Sequence, residues 1–158
     1  MKILPRYKHC FVCGKENPIG VNLHFETDGE YVYAKTSLNK NYIGYENRVH
    51  GGIIAGLIDE AMGWACTVKE KKLYYTIELD VKYKKPVHPN EMVFIKAKMN
   101  DIKHNVAMAS GILKDEAGTI LVSAKGKYMP INKNEEDTVL AMLHHDPEDN
   151  KVVTREDL

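Results

Sequence analysis

The sequence predicts an α+β fold, a curved antiparallel β-sheet of about six strands wrapped around one long central α-helix. Three observations carry this. One stretch, from Gly52 to Val68, is apolar on almost every side of a helix, at Ile53, Ile54, Leu57, Ile58, Ala61, Met62, Trp64, Ala65 and Val68. A helix without a polar face has to be wrapped by the rest of the chain. The other periodic segments alternate apolar and polar residues, the two-residue period of a strand. Finally, the connections between the last strands are short, which favours antiparallel neighbours.

The elements follow in order. Val21, Leu23 and Phe25 alternate with Asn22, His24 and Glu26 to give a first strand, and Asp28-Gly29 offers a tight turn into a second, Glu30 to Leu38. After the helix, Leu73, Tyr75, Ile77, Leu79, Val81 and Tyr83 alternate with polar neighbours in the clearest strand of the sequence, closed by Pro86 and Pro89. Val93, Ile95, Ala97 and Met99 mark another strand. Val106 to Leu113 and Thr119 to Met129 make two more, joined at Asp115-Glu116-Ala117-Gly118. Beyond Pro130, Asn132 and the polar residues to Asp137 cap a short helix running to His145, and the acidic end is expected to fray. Residues 1–130 thus read as the folded domain, with 1–19 leading into it, and 131–158 as an acidic tail, partly helical or frayed.

Composition narrows the function. The 158 residues suit one domain, long enough to bury a core without a metal or disulfide staple. Lysine plus arginine and aspartate plus glutamate are both 22, so the strong basic excess of a nucleic-acid binder is missing. The charge is uneven: residues 1–130 hold 19 basic and 14 acidic groups, and 131–158 hold 3 and 8. Three cysteines, Cys10, Cys13 and Cys66, cannot complete a disulfide framework. The first residues lack the apolar core of a secretory signal. The stretch Ile53 to Val68 is interrupted by Asp59 and Glu60 and is too short to span a bilayer. The expected setting is cytoplasmic and reducing, with neither membrane nor nucleic acid as partner.

Asp59 is the most informative residue. A carboxylate in the middle of an apolar helix is costly unless it is paired, protonated or used. Gly52, Gly56 and Gly63 share its face, and each costs about 1 kcal/mol relative to alanine. Something is therefore expected to approach that face closely, a backbone or a ligand. Glu60 lies about 100° further round the helix, which predicts that it does not share the site of Asp59. Just before the helix stands Asn47-Arg48-Val49-His50-Gly51-Gly52. Glycines at a helix start leave the first amides uncovered at the positive end of the dipole, where an anion or a developing oxyanion is stabilised. His50 and Asn47 can orient or donate beside it. Cys10-Phe11-Val12-Cys13-Gly14 is half of a zinc knuckle, but a structural zinc needs four ligands and no second Cys-x-x-Cys follows. Free thiols are expected, and no metal.

The string from Val49 to Gly63, with His50-Gly51-Gly52 and Asp59 nine residues after the histidine, resembles the hotdog-fold thioesterase superfamily, particularly its PaaI-type branch. Thr76 to Pro86 resembles the strand that follows the helix in that family, and Cys13-Gly14-Lys15-Glu16-Asn17-Pro18-Ile19-Gly20-Val21 its leading segment. The resemblance spans about residues 10–130. It implies a cofactor-free acyl-CoA thioesterase, a homodimer or a dimer of dimers, with each active site at a subunit interface. Asp59 would activate water or attack the thioester, and the Gly52 amide would polarise the carbonyl. Asn47 and His50 would help hold the acyl group, and Thr76 would assist from the partner subunit. Gly51, Arg48, Lys82, Lys84 and Lys85 are the candidate substrate-binding residues, the cations as partners for the phosphates of CoA. Two other activities stay open on the sequence: an acyl-thioester hydratase or dehydratase, and an acyl-CoA-binding regulatory module without turnover.

Overall fold

The computed structural model describes residues 1–144. Its elements run β1 (Lys2–Ile3), β2 (Arg6–Tyr7), β3 (Glu26–Thr27), β4 (Val32–Ser37), α1 (Gly51–Glu70), β5 (Tyr74–Tyr83), β6 (Met92–Lys103), β7 (Val106–Asp115), β8 (Ile120–Pro130), α2 (Lys133–Ala141) and β9 (Leu143–His144). Seven strands pair antiparallel in the order β1-β3-β4-β6-β7-β8-β5, while β2 and β9 form a small separate pair. Helix α1 lies across this sheet and packs on β4, β5, β6, β7 and β8. The expected fold class is the observed one.

The apolar sequence of α1 explains its place. Ile54, Leu57, Ile58, Ala61, Met62, Trp64, Ala65, Cys66 and Val68 are all buried. The sheet opposes them with the inward residues of its long strands, among them Val93, Ile95, Ala97, Ala107, Ala109, Leu113, Val122 and Ala124. Gly111 sets the spacing: a Cβ there would come within 2.8 Å of Ile58 Cγ2, so this glycine lets β7 pass directly beneath the helix. Between β6 and β7, His104 and Asn105 both take positive φ (49° and 66°), the geometry of a two-residue hairpin turn.

Three expectations are corrected. The alternation at Val21, Leu23 and Phe25 reports burial but not a strand, since only Glu26 and Thr27 join the sheet. Asn22 has φ 55°, which breaks extended backbone, and the segment bonds instead to the N-terminal residues, Val21 N to Phe11 O and Leu23 N to Val12 O. Second, β5 carries a bulge between Thr76 and Glu78, so Tyr75 and Ile77 do not continue the inward row and are 50% and 46% exposed. Third, the helix after Pro130 is capped by Asn132 as expected, whose side chain accepts from Asn134 N and Glu135 N, but it stops at Ala141. The chain turns back there so that Leu143 and His144 can pair with Tyr7 and Arg6. The rest of the expected tail, from His145 onward, lies outside the described residues.

Candidate active site

Asp59 projects from α1 to the point where β5 and β8 pair. Thr76 and Tyr128 are direct cross-strand partners there, and both present a hydroxyl to the carboxylate. Thr76 Oγ1 lies 2.9 Å from Oδ1 and 3.0 Å from Oδ2, and Tyr128 Oη donates to Oδ1 at 2.9 Å. Tyr128 is 1% exposed. Burial first, then the charge of Asp59 and the bond to it, push its phenol well above the ordinary tyrosine range, so it stays a donor. Gly126 makes the room: a Cβ there would sit 2.6 Å from the Tyr128 ring. The bond to Thr76 is made within one chain, where the family resemblance puts that threonine across the interface.

The carboxylate stands at the wall of a cavity of about 190 Å³ that is also lined by Tyr7, Glu60, Trp64, Tyr74 and Thr76. Asp59 and Glu60 therefore do share a cavity, despite their angular separation on the helix. The hollow curls around α1 toward the N-terminal segment, where Tyr7 stacks on Trp64 at 5.6 Å. Three polar atoms here, Glu60 Oε1, Trp64 Nε1 and Tyr74 Oη, are shut off from solvent without a hydrogen-bond partner among the described residues. Unsatisfied groups concentrated in one hollow mark a polar site.

The start of α1 is a second locus. His50 is the N-cap, and its Nδ1 accepts from Gly52 N at 2.9 Å. The Gly52 amide, expected to face a substrate carbonyl, is thus occupied by the neighbouring side chain. No acidic residue stands in the first turn to offset the dipole. Asn47 takes φ 60° in the preceding turn, its carbonyl accepting from His88 Nδ1 at 2.8 Å, with its side chain exposed. Tyr83 Oη donates to Gly51 O at 2.7 Å. Arg48, Gly51, Tyr83, Lys84 and Lys85 together border a cleft of about 280 Å³. Lys82 is not part of it: the residue beside Tyr83 on β5 points to the opposite face of the sheet.

The two loci are distinct. Their cavities share no lining residue, and the seven residues from Gly52 to Asp59 give about 10 Å of helix rise. The glycine face of α1 is met within the chain at ordinary distances, by Val12 at Gly56 and Tyr128 at Gly63. A Cβ at Gly56 or Gly63 would meet its nearest neighbour at an ordinary 3.7 Å, so the expected close approach is not made by this chain's own residues. A larger cavity of about 670 Å³, bordered by Leu23, Tyr33 and Phe94, holds none of the candidate residues. Tyr128 is the functional group that sequence reasoning passed over. Its signal was present, because a tyrosine in the inward row Ala124, Gly126, Tyr128 must find a partner for its hydroxyl.

A curved antiparallel sheet wrapped around a single long helix defines the hotdog class. Residues 46–122 match the family described as the Thioesterase superfamily, and the chain shares the hotdog fold of solved members of that superfamily. The crystal structure of a thioesterase superfamily protein superposes with a TM-score of 0.71 at 27% identity, over 77% of this chain and 63% of that one, so this chain spans less than two thirds of its length. A protein of Archaeoglobus fulgidus, named as a candidate esterase, is 29% identical over 104 residues, covering 65% of this chain and 67% of its own. The fold is shared with the E. coli PaaI protein from the phenylacetic acid degradation operon (TM-score 0.65, 12% identity, 71% of this chain and 81% of that one). It is shared too with a Streptococcus mutans protein bound to acetyl-CoA (TM-score 0.65, 15% identity, 75% and 96%). Among the described residues no helix is long and apolar enough to cross a membrane.

Proposed function

We propose that this protein hydrolyses acyl-CoA thioesters, in the manner of the PaaI-type branch, with Asp59 as the reacting carboxylate. The observation that carries the reading is Asp59 itself, a carboxylate on an apolar helix, held in one orientation by two hydroxyl donors at the wall of a polar cavity. Fixed donors position a base without having to reorganise during the reaction. Oδ1 accepts from both Thr76 and Tyr128, whereas Oδ2 is met by Thr76 alone. Oδ2 is the less engaged oxygen and the one that takes a proton from water. The resulting hydroxide equivalent attacks the thioester carbonyl carbon, the oxyanion collapses, and the C–S bond breaks to give the acid and the CoA thiol. The acetyl-CoA held by the Streptococcus mutans protein of the same fold supports this ligand class.

The carbonyl needs donors of its own, and the helix N-terminus is their source. In one chain it stands apart from Asp59, which supports an active site composed of Asp59 from one copy and the start of α1 from another. A further feature supports self-association. The ten-residue β5 is an edge strand with Tyr75, Ile77 and Tyr83 exposed, an unprotected edge of the kind that pairs with another chain. Arg48, Lys84 and Lys85 then serve the CoA phosphates beside that helix end. The gathering of three unpaired thiols in one chain supports a reducing, cytoplasmic setting.

The experiment is thiol release from short, medium, long and aromatic acyl-CoAs by wild type and Asp59→Asn. Turnover by wild type with a loss of about 10²–10⁴-fold in the variant is expected. Tight acyl-CoA binding by a folded wild type that releases no thiol would replace the hydrolase reading with that of a binding module, or with a hydratase if the acyl group is hydrated instead.

A further inference from the structure

The motif Cys10-Phe11-Val12-Cys13-Gly14 has only two ligands in the sequence, and the fold supplies a third. Cys10 Sγ donates to Glu60 Oε2 at 2.9 Å, and the two sulfurs and the carboxylate oxygen all lie within 4.8 Å of one another. Ligand atoms around a tetrahedral zinc, with bonds of about 2.0–2.3 Å, stand roughly 3.5–3.8 Å apart. The three groups are thus within about an ångström of ligating positions. We propose that Cys10, Cys13 and Glu60 form a binding site for a zinc-class divalent cation, joining the N-terminal segment to α1 beside Asp59.

The backbone around the cysteines is shaped for sulfur anions. Val12 N and Cys13 N direct their N–H groups at Cys10 Sγ at 3.3 and 3.4 Å, and Tyr7 N meets Cys13 Sγ at 3.4 Å. Gly14 closes this turn, and a Cβ there would lie 2.4 Å from the Cys10 carbonyl oxygen. Glu60 Oε1 is shut off from solvent with no donor, an acceptor left over after Oε2 has met Cys10. A cation bound between the two sulfurs and the carboxylate takes one ligand atom from each. Two thiolates and one carboxylate suit zinc better than magnesium or calcium, which take oxygen ligands alone. On binding, both thiol protons leave to solvent, with the carboxyl proton where Glu60 carries one, and two metal–sulfur bonds and one metal–oxygen bond form. A fourth position is left for a solvent oxygen.

This site does not depend on the hydrolase reading, and its test reads metal directly. The full chain, reduced and stripped by chelator, is titrated with zinc against a chromogenic competitor, and separately with cobalt(II). One metal per chain, protons released, and a cobalt–thiolate charge-transfer band are expected. Cys10→Ser and Glu60→Gln should each weaken binding by tenfold or more. Cys66→Ser, whose thiol is buried elsewhere in α1, should leave it unchanged. Failure of the reduced wild type to bind stoichiometric metal would overturn the site, as would Glu60→Gln binding as tightly as wild type. Should a variant not fold, alkylation of the wild type decides: zinc must protect Cys10 and Cys13, and equal labelling with and without zinc refutes the proposal.

Discussion

Tyr128 Oη and Asp59 Oδ1 are 2.9 Å apart, a bond from a buried phenol on the last long strand to a carboxylate on the central helix, 69 residues away in the chain. Thr76 stands opposite Tyr128 in the strand register, so sheet pairing brings both donors to one oxygen. Removing the phenol hydroxyl as Tyr128→Phe leaves the ring in place and takes away one bond to a charged group, worth about 1.5–3 kcal/mol. Turnover by the proposed hydrolase should fall about 10–100-fold, and the melting temperature should drop by roughly 3–12 °C. Thr76→Ser should retain most activity and Thr76→Val lose it. Steady-state kinetics showing Tyr128→Phe equal to wild type would remove this bond from the mechanism.

His50 caps α1 through the Gly52 amide. His50→Ala should cost about 1 kcal/mol through loss of the cap, and His50→Asn, which caps equally well, should restore it. Thermal unfolding reads this directly. Acyl-CoA KM reads whether the freed amide then binds a carbonyl: a lowered KM in His50→Ala supports that role, and an unaltered KM argues that another amide holds the oxyanion.

Stability should fall in alkali. Burial, with Glu70 nearby, pushes the Cys66 thiol from 9.0 up to about 12. Tyr74 is pushed from 10.0 to about 12, again mainly by burial, and Tyr128 lies higher still. In each case the unfolded chain ionises first. The stability these groups contribute is whole below pH 9 and is lost as pH rises from there through about 12. Denaturant midpoints should therefore drop between pH 9 and 10.5. A flat profile across that range would show that these groups are not as secluded as their burial indicates.

The β5 edge predicts association. Ile77→Lys places a charge on the exposed bulge of that edge, where like charges would oppose each other across a pair of copies. Sedimentation should show wild type larger than one chain and the variant shifted toward the monomer, with turnover lost in parallel. A monomeric wild type with full activity would rule out the composite active site.

How much of this was legible beforehand differs from residue to residue. The apolar circumference of α1 and the alternation from Val93 onward specify the helix-on-sheet architecture because burial alone dictates them. The same alternation misleads at Leu23 and Phe25, which are buried but paired outside the sheet, since Asn22 turns the backbone. Along β5, strict alternation sets Lys82 and Lys84 on one face, yet only Lys84 reaches the cleft because the strand ends at Tyr83. Asp59 and Thr76 were legible as chemistry, and the structure joins them. The bond from His50 to Gly52 was not, because nothing in residue type decides whether an N-cap histidine faces its own helix or a ligand. Nor was the contact of Cys10 with Glu60, which only the packing of the leading segment on α1 creates.

The small pair formed by Arg6 and Tyr7 with His144 and Leu143 has a consequence in time. Nearly the whole described chain lies between these partners, and closing so long a loop is among the last and entropically dearest events of folding. As the chain is synthesised, the helix and sheet can assemble before this last small pair forms. The leading segment, with Cys10 and Cys13, is by then already tied to residues 21–27, and residue 144 adds only the final fastening at Arg6 and Tyr7.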